Sequence, residues 1–134
     1  YYQAVASIID SAVAAPNIGQ QWIVKNRLVK SQPSFLMQLG QGQDNSHTVI
    51  KCLDKNADKA LFELQPITGK THQLRVHMQS LGWPLLYDRF YPKLLPKGTD
   101  VYSQPLQLLA RQLNYIDPVT QQKKSISCSQ SLTI

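Results

Sequence analysis

The chain has 134 residues, 43% of them hydrophobic, the size of one ordinary domain with enough apolar material for a single core unaided by metal or disulfides. Its 14 lysines and arginines against 8 acidic residues give a formal net charge of +6 and a pI near 9.5, which favours polyanionic partners over acidic or neutral ones. Only Cys52 and Cys128 occur, in no paired spacing, which argues against a disulfide framework or a zinc site and fits a reducing cytoplasm; no apolar run reaches membrane-spanning length.

In chain order, the start at Tyr1-Tyr2-Gln3 has no initiator methionine and no signal-like segment, so the sequence reads as a piece of something longer. Small apolar residues from Ala4 to Ile9 suit a buried strand, with Pro16-Asn17-Ile18-Gly19 as the turn after it. Trp22 to Lys30 and Phe35-Leu36-Met37 read as short strands, and the polar stretch Gly40 to Asn45 as an exposed loop. His47 to Leu53 and Ala60 to Leu64, joined by the polar Asp54 to Lys59 turn, form a predicted hairpin whose second strand runs directly into Pro66. From Thr71 to Leu81 the period changes: Leu74, Met78 and Leu81 fall at i, i+4 and i+7, a helical stripe stopped by Gly82 and Pro84. The Pro-rich, basic section Tyr91 to Pro105 is expected to be an irregular surface loop. Leu106 to Ile116 and Lys124 to Cys128 are expected to be two strands joined by the Asp117-Pro118-Val119-Thr120 turn. No repeat and no second domain boundary is visible, so residues 1–134 are read as one partial domain.

The segment Pro66-Ile67-Thr68-Gly69-Lys70-Thr71-His72-Gln73-Leu74-Arg75-Val76-His77 sets a turn and several polar groups at a strand-to-helix junction. Gly69 is expected to allow a tight bend, and the N–H groups that open a helix can hold an anion such as phosphate. Three familiar chemistries do not fit. Gly69-Lys70-Thr71 lacks the glycine of a phosphate-binding loop, since Leu64 stands five residues earlier. His72 and His77, at i and i+5, diverge around a helix, unlike the i, i+4 pair of a helical zinc site. No serine sits in a glycine-flanked elbow.

These twelve residues, followed by Gly82, Pro84 and Asp88-Arg89-Phe90-Tyr91, resemble the Pro-x-Thr-Gly-Arg-Thr-His-Gln-hydrophobic-Arg-Val-His block and the Gly-x-Pro…Gly-Asp-x-x-Tyr continuation of RluA-type RNA pseudouridine synthases. Tyr2-Gln3-Ala4 is similar to that family's Lys-x-Tyr-x-Ala strand, and Ser46-His47-Thr48 to the start of the strand before the signature. The resemblance implies an α+β fold: a mixed, mainly antiparallel sheet with a flanking helix, the C-terminal part of the pseudouridine synthase domain. It also implies isomerisation of uridine to pseudouridine in structured RNA, ribosomal rather than transfer RNA, with no metal and no organic cofactor.

In that family an aspartate in a His-Arg-Leu-Asp motif performs the covalent or deprotonating step. Nothing here matches it: Asp10, Asp44, Asp54, Asp58, Asp88, Asp100 and Asp117 all stand in other surroundings, so the chain alone is expected to be inactive. Arg75 matches the arginine that pairs with the catalytic carboxylate, and Tyr2 the tyrosine that packs on the flipped base and helps to remove the C5 proton. By residue type alone, Arg75 would read as a surface helix arginine and Tyr2 as an ordinary chain-end residue. Lys70, standing where the family has Arg, is with His72 and Gln73 a candidate for RNA binding, through phosphate or structural contacts near the bound RNA. Arg27 and Lys30, with Lys93, Lys97, Lys123 and Lys124, form a basic set that could add phosphate attraction or simply be a solvated face. Tyr87 replaces the family's glycine before Asp88, and Leu109 stands where many relatives have His. The alternative reading is a non-catalytic RNA-binding module derived from the same fold.

Overall fold

The computed structural model describes residues 1–9, 11–96 and 104–134; Asp10, Lys97, Asp100 and the rest of the 97–103 stretch of the Pro-rich section lie outside the described residues. The elements are β1 (Tyr2–Ser7), β2 (Gln21–Lys30), β3 (Met37–Gly40), β4 (Ser46–Lys55), β5 (Lys59–Pro66), α1 (Gln73–Ser80), β6 (Leu108–Ala110), β7 (Gln112–Ile116) and β8 (Lys123–Ser127). Strands β3-β2-β4-β5-β1-β6 form a six-stranded sheet in that order, and β7-β8 pair separately. Every pairing among the described residues is antiparallel. This is the mainly antiparallel sheet with a flanking helix that the sequence leads one to expect.

Register explains which face is buried. Ala4 stands opposite Phe62, Phe62 opposite Cys52, Leu64 opposite Ile50 and Ile50 opposite Trp22, so the apolar residues of alternating strands line one face. Leu74 and Met78 of α1 pack onto that face with Ile50, Phe62 and Leu64, and Leu81 joins them half-buried, which is the predicted i, i+4, i+7 stripe. Trp83, just past the helix, stacks on Phe62 at 5.7 Å and meets Trp22 edge-on at 5.1 Å between ring centroids.

Helix α1 starts two residues later than its stripe implies, because His72 adopts a left-handed conformation, φ 53°, and the helix begins only at Gln73. It stops where expected. Gly82 has φ 93°, its N–H donates to Gln79 O, and Trp83 N–H donates to Met78 O. A Cβ at Gly82 would lie 2.8 Å from Val13 Cγ2, so both backbone and space demand glycine there. Leu106 to Ile116 is not one strand: it breaks at Arg111, where the N–H groups of Arg111 and Gln112 both donate to Tyr1 O and Cys128 N–H donates to Arg111 O. The chain there leaves the large sheet for the β7–β8 hairpin. The turn of that hairpin is the expected one, with Asp117 Oδ1 accepting the N–H groups of Val119 and Thr120.

Under α1 lies a polar seam in an otherwise apolar layer. Gln73 Nε2 donates to Thr48 Oγ1 at 2.9 Å, so the Thr48 hydroxyl donates onward to His77 Nδ1 at 2.7 Å. The remaining proton of the ring is then on Nε2, which donates to Asn26 Oδ1 at 2.8 Å with Ser46 Oγ 3.1 Å away. His77 is fully buried, and that burial, helped by the charge of His47, holds its pKa down at about 4.

The sign of the pH dependence follows. The unfolded chain accepts a proton on His77 near the ordinary value of 6.5, and the folded one refuses it until about 4. Its contribution is therefore complete above pH 6.5 and is lost as pH falls toward 4, by ~3 kcal/mol in all. Urea unfolding of the chain and of His77→Gln at pH 7 and pH 4.5 measures this as the part of the pH dependence that the substitution removes. A second prediction concerns Tyr87, which at φ 63° and a third exposed occupies backbone that glycine adopts without cost. Tyr87→Gly is expected to stabilise the chain by about 0.5–1 kcal/mol in the same assay.

Candidate active site

Strand β5 runs without a break into the Pro66–Gln73 turn, and the side chain of Gln73 holds that turn closed. Its Oε1 accepts from Thr68 Oγ1 at 2.6 Å and from Lys70 N–H at 3.1 Å, while Nε2 donates to His47 O at 3.0 Å and to Thr48 Oγ1. Thr68 Oγ1 in turn accepts from His47 N–H at 3.0 Å. Gln73 is 3% exposed and all four of its amide positions are used within the protein, so of the two roles expected for it, phosphate contact or structural contact, its side chain takes the structural one. Gly69, expected to make the bend, has no left-handed φ and open space around its Cα; the left-handed residue of the turn is His72.

The turn, the start of β1, the end of β5 and β6 border an open cavity of about 310 Å³ lined by Tyr2, Pro66, Thr68, Gly69, Lys70, His72, Gln73, Leu74, Arg75 and Leu108. Tyr2 reaches it because β1, first in the sequence, inserts between β5 and β6, with Tyr2 paired to Leu64 and Ala110. Five residues selected from the sequence, Tyr2, Lys70, His72, Gln73 and Arg75, thus meet in one place. Arg27 and Lys30 do not; both sit on β2, beyond β4 and β5 from Tyr2, with Arg27 Nη1 3.4 Å from Gln43 O and Lys30 exposed opposite Met37. No carboxylate is among the lining residues.

Arg75 is already held by a carboxylate, though one to which the sequence reading assigned no role. Its Nε and Nη2 donate to Asp88 Oδ2 and Oδ1 at 3.0 and 2.6 Å, a bidentate pair in which Asp88 is 1% and Arg75 15% exposed. Asp88 Oδ1 also accepts the N–H groups of Phe90 and Tyr91, at 2.9 and 3.1 Å, which folds the loop around the acid. The rings of Phe90 and Tyr91 then lie 4.5 and 5.5 Å from the guanidinium carbon. Nη1 of Arg75 has no hydrogen-bond partner among the described residues, so the end of the fork remains available to a second oxyanion. The signal for Asp88 was present in the Asp-x-x-Tyr pattern, but its pairing with an arginine thirteen residues earlier needs the fold.

Tyr91 was also missed. Its hydroxyl oxygen accepts Met37 N–H at 2.8 Å, so its proton goes to His72 Nδ1 at 2.8 Å, leaving His72 with its hydrogen on Nε2. Burial, with the charge of Arg75 next, lowers the His72 pKa, and burial raises that of Tyr91, so the pair is neutral around pH 7. His72 and His77 thus serve different networks. Among the described residues no three His, Cys, Asp or Glu side chains are grouped to hold a metal ion. Leu108, the remaining unanticipated wall, comes from a strand brought beside β1 only by the sheet order.

The family model described as RNA pseudouridylate synthase matches residues 1–80. Ribosomal large subunit pseudouridine synthase C of Vibrio cholerae serotype O1 is 28% identical over 109 residues, covering 78% of this chain and 34% of that protein. Dual-specificity RNA pseudouridine synthase RluA of Pasteurella multocida is 46% identical over 65 residues, covering 48% of this chain and 28% of that protein. The chain spans about a quarter to a third of the length of these relatives. Among solved structures, Human RNA Pseudouridylate Synthase Domain Containing 1 superposes with a TM-score of 0.69 at 19% identity, over 96% of this chain and 53% of that one. Human RNA Pseudouridylate Synthase Domain Containing 4 gives 0.65 at 23%, over 97% and 57%.

Removing Asp88 leaves the Arg75 charge in a largely buried place without its counter-ion. Asp88→Ala is expected to cost about 3 kcal/mol in urea unfolding, and Arg75→Met added to it to recover part of that loss. Equal stability of the single and double variants would show that the pair is not what Asp88 contributes.

Proposed function

We propose, from the premise that the chain belongs to the RluA-type RNA pseudouridine synthase family, that it forms one wall of a uridine-isomerising site and completes that site with a carboxylate from outside these 134 residues. The observation that carries this reading is the cavity in which Tyr2 and Arg75 meet while no carboxylate lines it. The unpartnered Nη1 of Arg75 is available to hold the reacting acid ionised, and the charge of Asp88 already fixes the guanidinium in place. Tyr2 offers a flat ring for a flipped uracil and a hydroxyl beside its C5, where a proton must leave after the base has been detached and turned. Lys70, exposed on the rim, and the Nε2–H of His72 supply donors for the sugar-phosphate backbone. No metal or organic cofactor takes part in this scheme.

The substrate is structured RNA, which the net charge of +6 suits, and ribosomal rather than transfer RNA, a choice supported by the naming of the Vibrio cholerae relative for the large ribosomal subunit. The place of action is the cytoplasm, with which the two free cysteines agree. A second reading, a non-catalytic RNA-binding module, is favoured by the same lack of a carboxylate in the cavity lining.

The 134-residue chain is expected to form no pseudouridine. In a protein that joins it to an aspartate-bearing segment, Arg75→Ala is expected to lower conversion by at least about 10³-fold while RNA binding persists. Carbodiimide treatment followed by primer extension reads conversion, and filter binding reads affinity. Near-wild-type conversion by Arg75→Ala would remove the role given to Arg75; no conversion by any such joined protein would favour the binding module.

A further inference from the structure

Phe90 and Tyr91 face two spaces. They touch Arg75 and His72, which line the cavity, and they themselves line a second groove of about 260 Å³ between α1, β3 and the segment after Tyr91. Phe35, 48% exposed, meets Phe90 edge-on at 5.4 Å, and Phe90 lies 4.5 Å from the Arg75 guanidinium carbon. A chain of aromatic rings and one cation therefore runs from the cavity to an exposed phenylalanine. The fold has no need of that ring on the surface: Leu36, its neighbour, is the one buried in the small core with Leu28, Val76 and Tyr91.

The walls of the groove itself, which Phe35 adjoins through Phe90, bring polar chemistry suited to the edge of a nucleobase. Gln38 and Gln79 line it with amides that both donate and accept, and the Ser31 hydroxyl donates to Gln38 Oε1 at 3.3 Å, which turns the Gln38 NH₂ outward from that bond. No carboxylate lines it, and Asp88 nearby is buried and neutralised by Arg75. Lys30, opposite Met37 in register, and Lys93, next to Pro92, are both exposed beside residues that form the groove. An exposed aromatic ring against a groove residue, amides in the groove wall and lysines beside it form the set that single-stranded RNA requires.

We propose that an unpaired nucleobase of the RNA stacks on Phe35 at the edge of this groove, with its polar edge toward the groove wall and next along the strand to the nucleotide held in the Arg75 cavity. The inference rests on the RNA-binding reading given above and adds a subsite to it. It also gives Lys30 a place: remote from the cavity, it neutralises phosphate where the strand passes the groove.

Fluorescence anisotropy of a labelled single-stranded oligoribonucleotide with the 134-residue chain tests this. Phe35→Ala is expected to weaken binding about tenfold with an unchanged salt slope, because stacking and not charge is lost. Phe35→Trp is expected to keep the affinity and to lose indole emission as RNA is added. Lys30→Gln with Lys93→Gln is expected to reduce the slope of log affinity against log salt by about 1 to 2. Wild-type affinity of Phe35→Ala, or indole emission of Phe35→Trp indifferent to RNA, overturns the subsite and leaves the RNA reading standing. No RNA binding by the unaltered chain overturns both. Unchanged RNA affinity with self-association lost on Phe35→Ala, measured by sedimentation, overturns the proposal in favour of a protein contact.

Discussion

A guanidinium that is only 15% exposed must be matched by an anion, and the arrangement around the cavity follows from how Arg75 meets that demand. Asp88 supplies the charge through two parallel hydrogen bonds, and the same carboxylate collects the N–H groups of Phe90 and Tyr91. The loop after α1 is therefore shaped by the arginine it neutralises. Once it is so shaped, the Tyr91 hydroxyl falls between Met37 N–H and His72 Nδ1, which ties β3 to the turn before the helix and sets the His72 tautomer. One ion pair thus positions the guanidinium of the cavity, its imidazole and the partition between cavity and groove.

A second polar system, lying below the helix, makes the first one rigid. The Gln73 amide joins the Pro66–Gln73 turn to β4, and the Thr48 hydroxyl passes the network on to His77 and Asn26. Buried hydrogen-bonded groups of this kind are costly to misplace, since any shift leaves a donor or acceptor unpaired away from water. Leu74 and Met78 seal the helix to the sheet around them. The mouth of the cavity therefore rests on an ordered turn although its backbone is irregular, as the proposed holding of a flipped base requires.

The charge pattern of the cavity is one-sided. Lys70 and Arg75 line it, Asp88 balances one of them from behind, and no acid faces the space. A negatively charged group entering there, whether a carboxylate or a phosphate, gains two favourable partners at once. This electrostatic incompleteness agrees with a chain that spans about a quarter to a third of its curated relatives.

Much of the fold was legible because periodicity is a local property. The alternation in β4 and β5, the stripe of Leu74, Met78 and Leu81, and the Gly82 stop each depend on neighbours a few residues away. What local pattern could not supply was partnership at a distance. Gln73 read as either a phosphate or a structural contact because an exposed glutamine and a buried one read alike, and only the positions of His47, Thr48, Thr68 and Lys70 show that its amide is fully used. His72, not Gly69, took the left-handed turn, and from there its imidazole meets the Tyr91 hydroxyl nineteen residues on. Arg111 broke the strand read as continuous from Leu106 because Tyr1 and Cys128 meet it there.

By itself the sequence determined the signature, the helix behind it, the basic balance and the residues that bring chemistry, since residue type and short-range spacing carry those. The tertiary structure alone decided that β1 lies between β5 and β6, so that Tyr2 faces Arg75 across one cavity, and that Asp88 holds the arginine there. Strand order and ion pairing are settled by which buried faces and charges satisfy one another in space, and nothing in a run of neighbouring residues encodes that.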